Sequence, residues 1–179
     1  MAYVPRHSHF RQEMEMSLST NPFPNDADRS AIWTMLVPRD IKAYVDADWS
    51  MVEGDFVADD FIGINGNGKD NPDGWTISFP TLAHYRDEWL RQAREGQRTK
   101  YAEDVEAGIH RATSLTEIEI TGERAVAHKK FNGEIKLASG GVDRLNWQTL
   151  YFCRKVEGQW KLTGFVGYLP YPMPSASPR

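Results

Sequence analysis

Four stretches in the last third of the chain are rich in aromatic, β-branched or alternating apolar and polar residues. They are Leu115 to Thr121, Arg124 to Leu137, Val142 to Val156 and Gln159 to Leu169. This pattern predicts strands. Thr121-Gly122-Glu123 and Glu157-Gly158-Gln159 mark tight turns between them. Before Arg111 the spacing is mostly helical. Asn25 or Asp26 is placed to cap a helix reaching about Leu36, with Ile32, Trp33 and Leu36 on one face. Pro38 is expected to break it. Asp40 is placed to cap a second helix through about Val52, in which Ile41, Tyr44, Val45 and Asp48 fall at i, i+3, i+4 and i+7. Gly54 is expected to end it. Phe56 to Ile64 reads as a short strand. Asn65 to Gly74 reads as a long polar loop, either a rim or lid or a solvated connection. A third helix starts at Thr81, carries Leu82, Tyr85, Trp89 and Ala93 along one stripe, and closes at Gly96. Helices followed by a meander predict an α+β domain whose helices cover one face of a bent sheet.

Size changes this picture little: 179 residues fit one domain, expected over 26–169, with an N-terminal arm (1–25) and a Pro/Ser tail (170–179). Such a chain can bury a core without a metal or disulfide staple. The net charge of -4, with acidic and basic residues interspersed, argues against a nucleic-acid surface. A lone Cys153 allows no internal disulfide. With no apolar run suited to a leader or a membrane span, a cytoplasmic protein is expected. There is no nucleophile elbow, dinucleotide fingerprint, His-Glu-x-x-His or Cys cluster, so neither metal nor organic cofactor is expected. Six Trp, seven Tyr and eight Phe suit a domain that fills a core and lines an apolar pocket.

Four segments carry a family resemblance: Asp48-Trp49-Ser50-Met51-Val52-Glu53-Gly54-Asp55-Phe56, Ile109-His110-Arg111-Ala112-Thr113-Ser114, Thr121-Gly122-Glu123-Arg124-Ala125-Val126-Ala127 and Val156-Glu157-Gly158-Gln159-Trp160-Lys161-Leu162. In order and spacing they resemble the nuclear-transport-factor-2-like superfamily, in its SnoaL-like and scytalone-dehydratase-like branch. The resemblance implies a cone-shaped, barrel-like α+β fold, with N-terminal helices packed in a strongly curved antiparallel sheet around an apolar cavity. It implies that His110 is a pocket histidine and that a helix acid, Asp46 or Asp48, orients it. The usual D-x-x-D-W spacing is not kept, since Val45 stands at the expected acidic position. The residues themselves also allow a plainer reading, with His110 hydrogen-bonded at a strand end and both aspartates on a helix surface.

Strand parity adds candidates for the pocket wall. Leu145, Trp147, Thr149 and Tyr151 share one face, and Arg144, Asn146, Gln148 and Leu150 the other. The first set suits the concave side, joined by Thr163 and Phe165; Tyr44 and Trp49 flank the helix acids. His128 faces water if Ala125 and Ala127 face in. These candidates suit a cofactor-free lyase or isomerase acting on a small, mostly apolar hydroxylated or carbonyl compound. His110 would move the proton, and Tyr44 or Tyr151 would bind oxygen. A non-catalytic module that binds a small hydrophobic molecule, or a homodimeric accessory protein paired through its outer sheet face, fits the same residues, and a homodimer is expected in either case. A protein-transport adaptor is a third reading.

Overall fold

The computed structural model describes residues 19–174. The expected arm and tail therefore lie partly outside the described residues, at 1–18 and 175–179. Asp26 caps α1 (Ala27–Thr34), its carboxylate accepting from the Arg29 N–H at 2.9 Å. Pro38 does not break the chain here. A π-helical segment, Met35–Arg39, carries it straight into α2 (Asp40–Asp46). The wider turn makes room for the ring and asks for no proline N–H, which an α-helical turn would miss.

The second helix is shorter than its pattern predicts. It ends at Asp46 because Ala47 takes a left-handed conformation (φ 51°) and returns its N–H to Ala43 and Tyr44. Asp48 then caps a separate short turn, Trp49–Met51. A short turn, Ala58–Asp60, interrupts the strand expected over Phe56 to Ile64, and regular pairing begins only at β1 (Ile62–Asn65). The sequence pattern also misses β2 (Thr76–Phe79) and α4 (Val105–Ala112), and α3 (Leu82–Arg98) runs past Gly96.

The remaining strands are β3 (Thr113–Thr121), β4 (Arg124–Lys136), β5 (Val142–Val156) and β6 (Gln159–Leu169). All six form one sheet in the order β2-β1-β6-β5-β4-β3. It is not wholly antiparallel, because β1 runs parallel to β6. A Cβ at Gly164 would collide with the Ile62 carbonyl, so glycine there permits this pairing. Register shifts in β3–β4 and β5–β6 bend the sheet. The helices lie in the hollow, and the chain is an α+β cone. Ile32, Leu36 and Ile41 pack against Ala127, Phe131, Ile135 and Leu145. Ile32 is 0% and Leu36 2% exposed, each contributing about 2 kcal/mol of burial. No helix among the described residues is long and apolar enough to cross a membrane.

Candidate functional site

Between the helices and the concave face of the sheet lies a cavity of about 290 Å³, roughly the space of ten water molecules. Its walls are mostly aromatic. Trp147 stacks on Phe131 with ring centroids 4.4 Å apart, and Trp89, Tyr85 and Phe165 close other sides.

Into this apolar space β4 delivers a lysine. Side chains alternate along the strand, so Ala125, Ala127, Lys129 and Phe131 all face inward. Lys129 is 1% exposed. Its Nζ donates to the Leu36 carbonyl in the π segment at 2.5 Å and to Asp40 Oδ2 at 2.8 Å, and sits 5.0 Å from the Phe131 ring centre. Two oxygen acceptors and an aromatic face thus surround the Lys129 Nζ. Asp40 opens α2, lines the cavity and gives one carboxylate oxygen to the lysine.

Phenols surround this pair. Among the described residues the hydroxyls of Tyr44, Tyr85 and Tyr151 make no side-chain hydrogen bond, and burial pushes all three well above the usual phenol range. They stay neutral and can donate. Tyr101 donates to Asp143 Oδ2 at 2.9 Å; burial and that carboxylate push its hydroxyl up to about 12. Gln92 and Tyr168 also line the cavity, with Gln92 Nε2 donating to the Tyr168 hydroxyl at 3.4 Å.

Of the residues singled out from sequence, Tyr44, Trp147, Thr149, Tyr151 and Phe165 line this cavity. Trp49 does not; it stacks on Phe56 and meets Tyr85 and Trp89 edge-on behind the wall. Thr163 turns its hydroxyl to the Phe152 carbonyl. His110 and the two helix acids are not brought together. His110 is buried on α4, outside the lining, with Nδ1 3.1 Å from Ser19 Oγ. Burial, and then the charge of Lys129, holds its imidazole below the usual histidine range. Asp46 pairs with Lys42 at 2.7 Å on the surface, and the Asp48 carboxylate accepts from Ser50 N–H at 3.0 Å. Asp46 shares the exposed face of α2 with Lys42, and past the left-handed Ala47 the Asp48 carboxylate is spent capping the next turn. His128 sits on the outer face between Glu117 and Gln148, at 3.0 and 2.6 Å. The Cys153 thiol is buried and pushed up to about 12, so it is a poor nucleophile.

Lys129 and Asp40 are the residues the sequence pattern passed over. The signal was present, since the parity that turns His128 to water turns its neighbour Lys129 inward. Among the described residues no group of three or more His, Cys, Asp or Glu side chains is disposed to hold a metal ion.

No protein-family model matches the sequence, and no curated protein matches it. Solved structures do. One from Novosphingobium aromaticivorans, provisionally named an aromatic ring hydroxylase, is 18% identical with a TM-score of 0.51; the match covers 82% of this chain and 90% of that one. A nuclear-transport-factor-2-like protein of unknown function from Pseudomonas putida is 16% identical with a TM-score of 0.50, covering 77% of this chain and 83% of that one. At these identities the likeness carries the fold: the chain has the nuclear-transport-factor-2-like fold.

Proposed function

On the premise of that fold, we propose that the chain is a cofactor-free lyase or isomerase acting on a small, mostly apolar compound with a carbonyl or hydroxyl oxygen. One observation carries this reading: a fully buried ammonium, Lys129, paired with the carboxylate of Asp40 at the wall of an aromatic cavity. Burying a charge is costly, and the pair is poor support for stability alone. In a site that excludes water the same charges act strongly on a bound oxygen.

The chemistry follows from the positions. Lys129 donates to Leu36 and Asp40, and in this reading it acts as a hydrogen-bond donor and not as a nucleophile. Its remaining N–H polarises the ligand oxygen, helped by a neutral phenol of Tyr44, Tyr85 or Tyr151. Asp40 takes the proton from the carbon beside that carbonyl, and the electron pair moves onto the oxygen as an enolate. Returning the proton at another carbon isomerises the compound. Returning it to a β-hydroxyl expels water and completes a dehydration. The helix and sheet hold these groups in place before the ligand enters, which is what makes their electrostatic effect large.

The test is a panel of hydroxylated aromatic and alicyclic ketones incubated with the protein and read by mass spectrometry. The reading expects conversion of at least one ketone. It expects Lys129→Met and Asp40→Asn each to slow that conversion about 100-fold, with His110→Ala near wild type. A ketone that raises the melting temperature yet is recovered unchanged would reject catalysis and leave only binding.

A further inference from the structure

Gln92 and Tyr168 form a second polar locus in the cavity, on elements that carry neither Lys129 nor Asp40. Gln92 stands on α3 and Tyr168 near the end of β6. The orientation of the Gln92 amide is not arbitrary. Its Nε2 donates to Glu88 Oε1 at 2.8 Å, and a carboxylate accepts only from the amide nitrogen. The same nitrogen donates to the Tyr168 hydroxyl at 3.4 Å. Both amide hydrogens are therefore spent, and Gln92 Oε1 makes no hydrogen bond among the described residues. Tyr168 accepts from Gln92, so its own hydrogen is free to donate. Burial is the main cause holding this phenol above its ordinary range, and it donates as the neutral group.

Tyr168 is also held in an unusual backbone state. Its φ is 55°, a region that bulky residues rarely adopt. The loop after β1 locks it there, with Gly66 N–H bonded to the Gly167 carbonyl and Gly68 N–H to the Tyr168 carbonyl, each at 2.8 Å. Strain at a residue lining a cavity needs surrounding structure to hold it, and such residues cluster at ligand sites. The ring leans toward Trp147, with centroids 6.1 Å apart and planes 31° from parallel.

We infer that Gln92 and Tyr168 are a hydroxyl-reading subsite, selecting ligands that carry a hydroxyl group remote from the oxygen held at Lys129. A hydroxyl is the group that satisfies both partners. It accepts from Tyr168 O–H and donates to Gln92 Oε1, whereas an ether or a second carbonyl satisfies only one. Between the two polar loci lie the Phe131 and Trp147 rings, so the ligand class is a planar hydroxyaryl ketone. This inference rests on the proposed reading for its first contact, at Lys129.

The experiment is an NMR titration of the whole protein with para-hydroxyacetophenone, acetophenone and phenol. The wild type binds para-hydroxyacetophenone about tenfold tighter than acetophenone, the scale of one well-made hydrogen bond. Tyr168→Phe and Gln92→Met each abolish that preference while leaving the affinity for acetophenone unchanged. A merely structural role would weaken both ketones together. Equal affinity for the two ketones in the wild type, or a preference that survives both substitutions, overturns the subsite. Absence of binding by any of the three probes overturns it too. If the hydroxyl preference holds but no ketone is ever converted, the acid–base reading fails and the subsite stands.

Discussion

Two lysine–aspartate pairs share the helix α2, and they differ in almost everything but chemistry. At its start Asp40 meets Lys129 at 2.8 Å; at its end Asp46 meets Lys42 at 2.7 Å. The Lys129 side chain is 1% exposed and that of Lys42 46%. The surface pair is a solvated i,i+4 contact of the kind that contributes little. The buried pair is desolvated, bonded to a main-chain carbonyl and flanked by aromatic rings, so each charge is felt strongly by whatever enters the cavity. Residue type and pairing distance do not separate a functional group from a decorative one. Burial and direction do.

The largest effect expected from breaking this contrast is on stability. Lys129→Ala leaves the Asp40 carboxylate without its partner and opens a void, and should cost about 3 kcal/mol in urea unfolding. The double change Lys129→Met with Asp40→Leu replaces both charges by apolar groups of similar size. It should recover more than half of that loss while abolishing any conversion. Failure of the double variant to recover would mean the pair is needed for folding rather than for chemistry.

A smaller, pH-dependent effect should come from Asp55. Burial raises its carboxyl to about 6, against a partial opposing effect of Arg39, which lies 2.9 Å away. Between the ordinary value of 3.8 and about 6, the folded chain binds more protons than the unfolded one. Wild-type stability therefore falls as pH rises through that window and levels off above it. Asp55→Asn should lack this decline, with a difference of order 1 kcal/mol after solvent screening, read from urea midpoints at several pH values.

His110 should show the opposite slope. Its folded imidazole lies below the ordinary 6.5, so the unfolded chain binds the proton first. The resulting stability is present above about pH 6.5 and is lost on acidification. His110→Gln should cost about 1 kcal/mol at neutral pH. The gap to wild type should close as pH falls below the ordinary 6.5, with ketone binding unaffected. The smallest effect belongs to the surface pair: Asp46→Asn should leave the melting temperature and ketone affinity unchanged within error.

The long strands were legible because alternation sustained over many residues fits a half-buried strand and no helix. Val142 to Val156 and Gln159 to Leu169 match their predicted bounds, and Arg124 to Leu137 overshoots β4 by one residue. The cavity-facing set on β5 followed from the same alternation. Short elements such as β2 and α4 gave too few residues for a period to emerge. The π segment around Pro38 was illegible because a proline reads as a stop unless the turn is known to widen. Asp48 was misplaced for a similar reason, since nothing local announces that an alanine, Ala47, will turn left-handed and end the helix; Asp46 does lie on the helix, on the exposed face it shares with Lys42. Lys129 was hidden by its residue type. Lysine on a strand reads as solvent-facing, although its neighbours Ala127 and Phe131 fixed its direction.

The most direct test is a crystal structure with para-hydroxyacetophenone soaked into the cavity. The carbonyl oxygen should lie about 2.7 to 3.2 Å from Lys129 Nζ, with the ring against Trp147. A ketone bound outside the cavity, or with its oxygen turned away from Lys129, would contradict it.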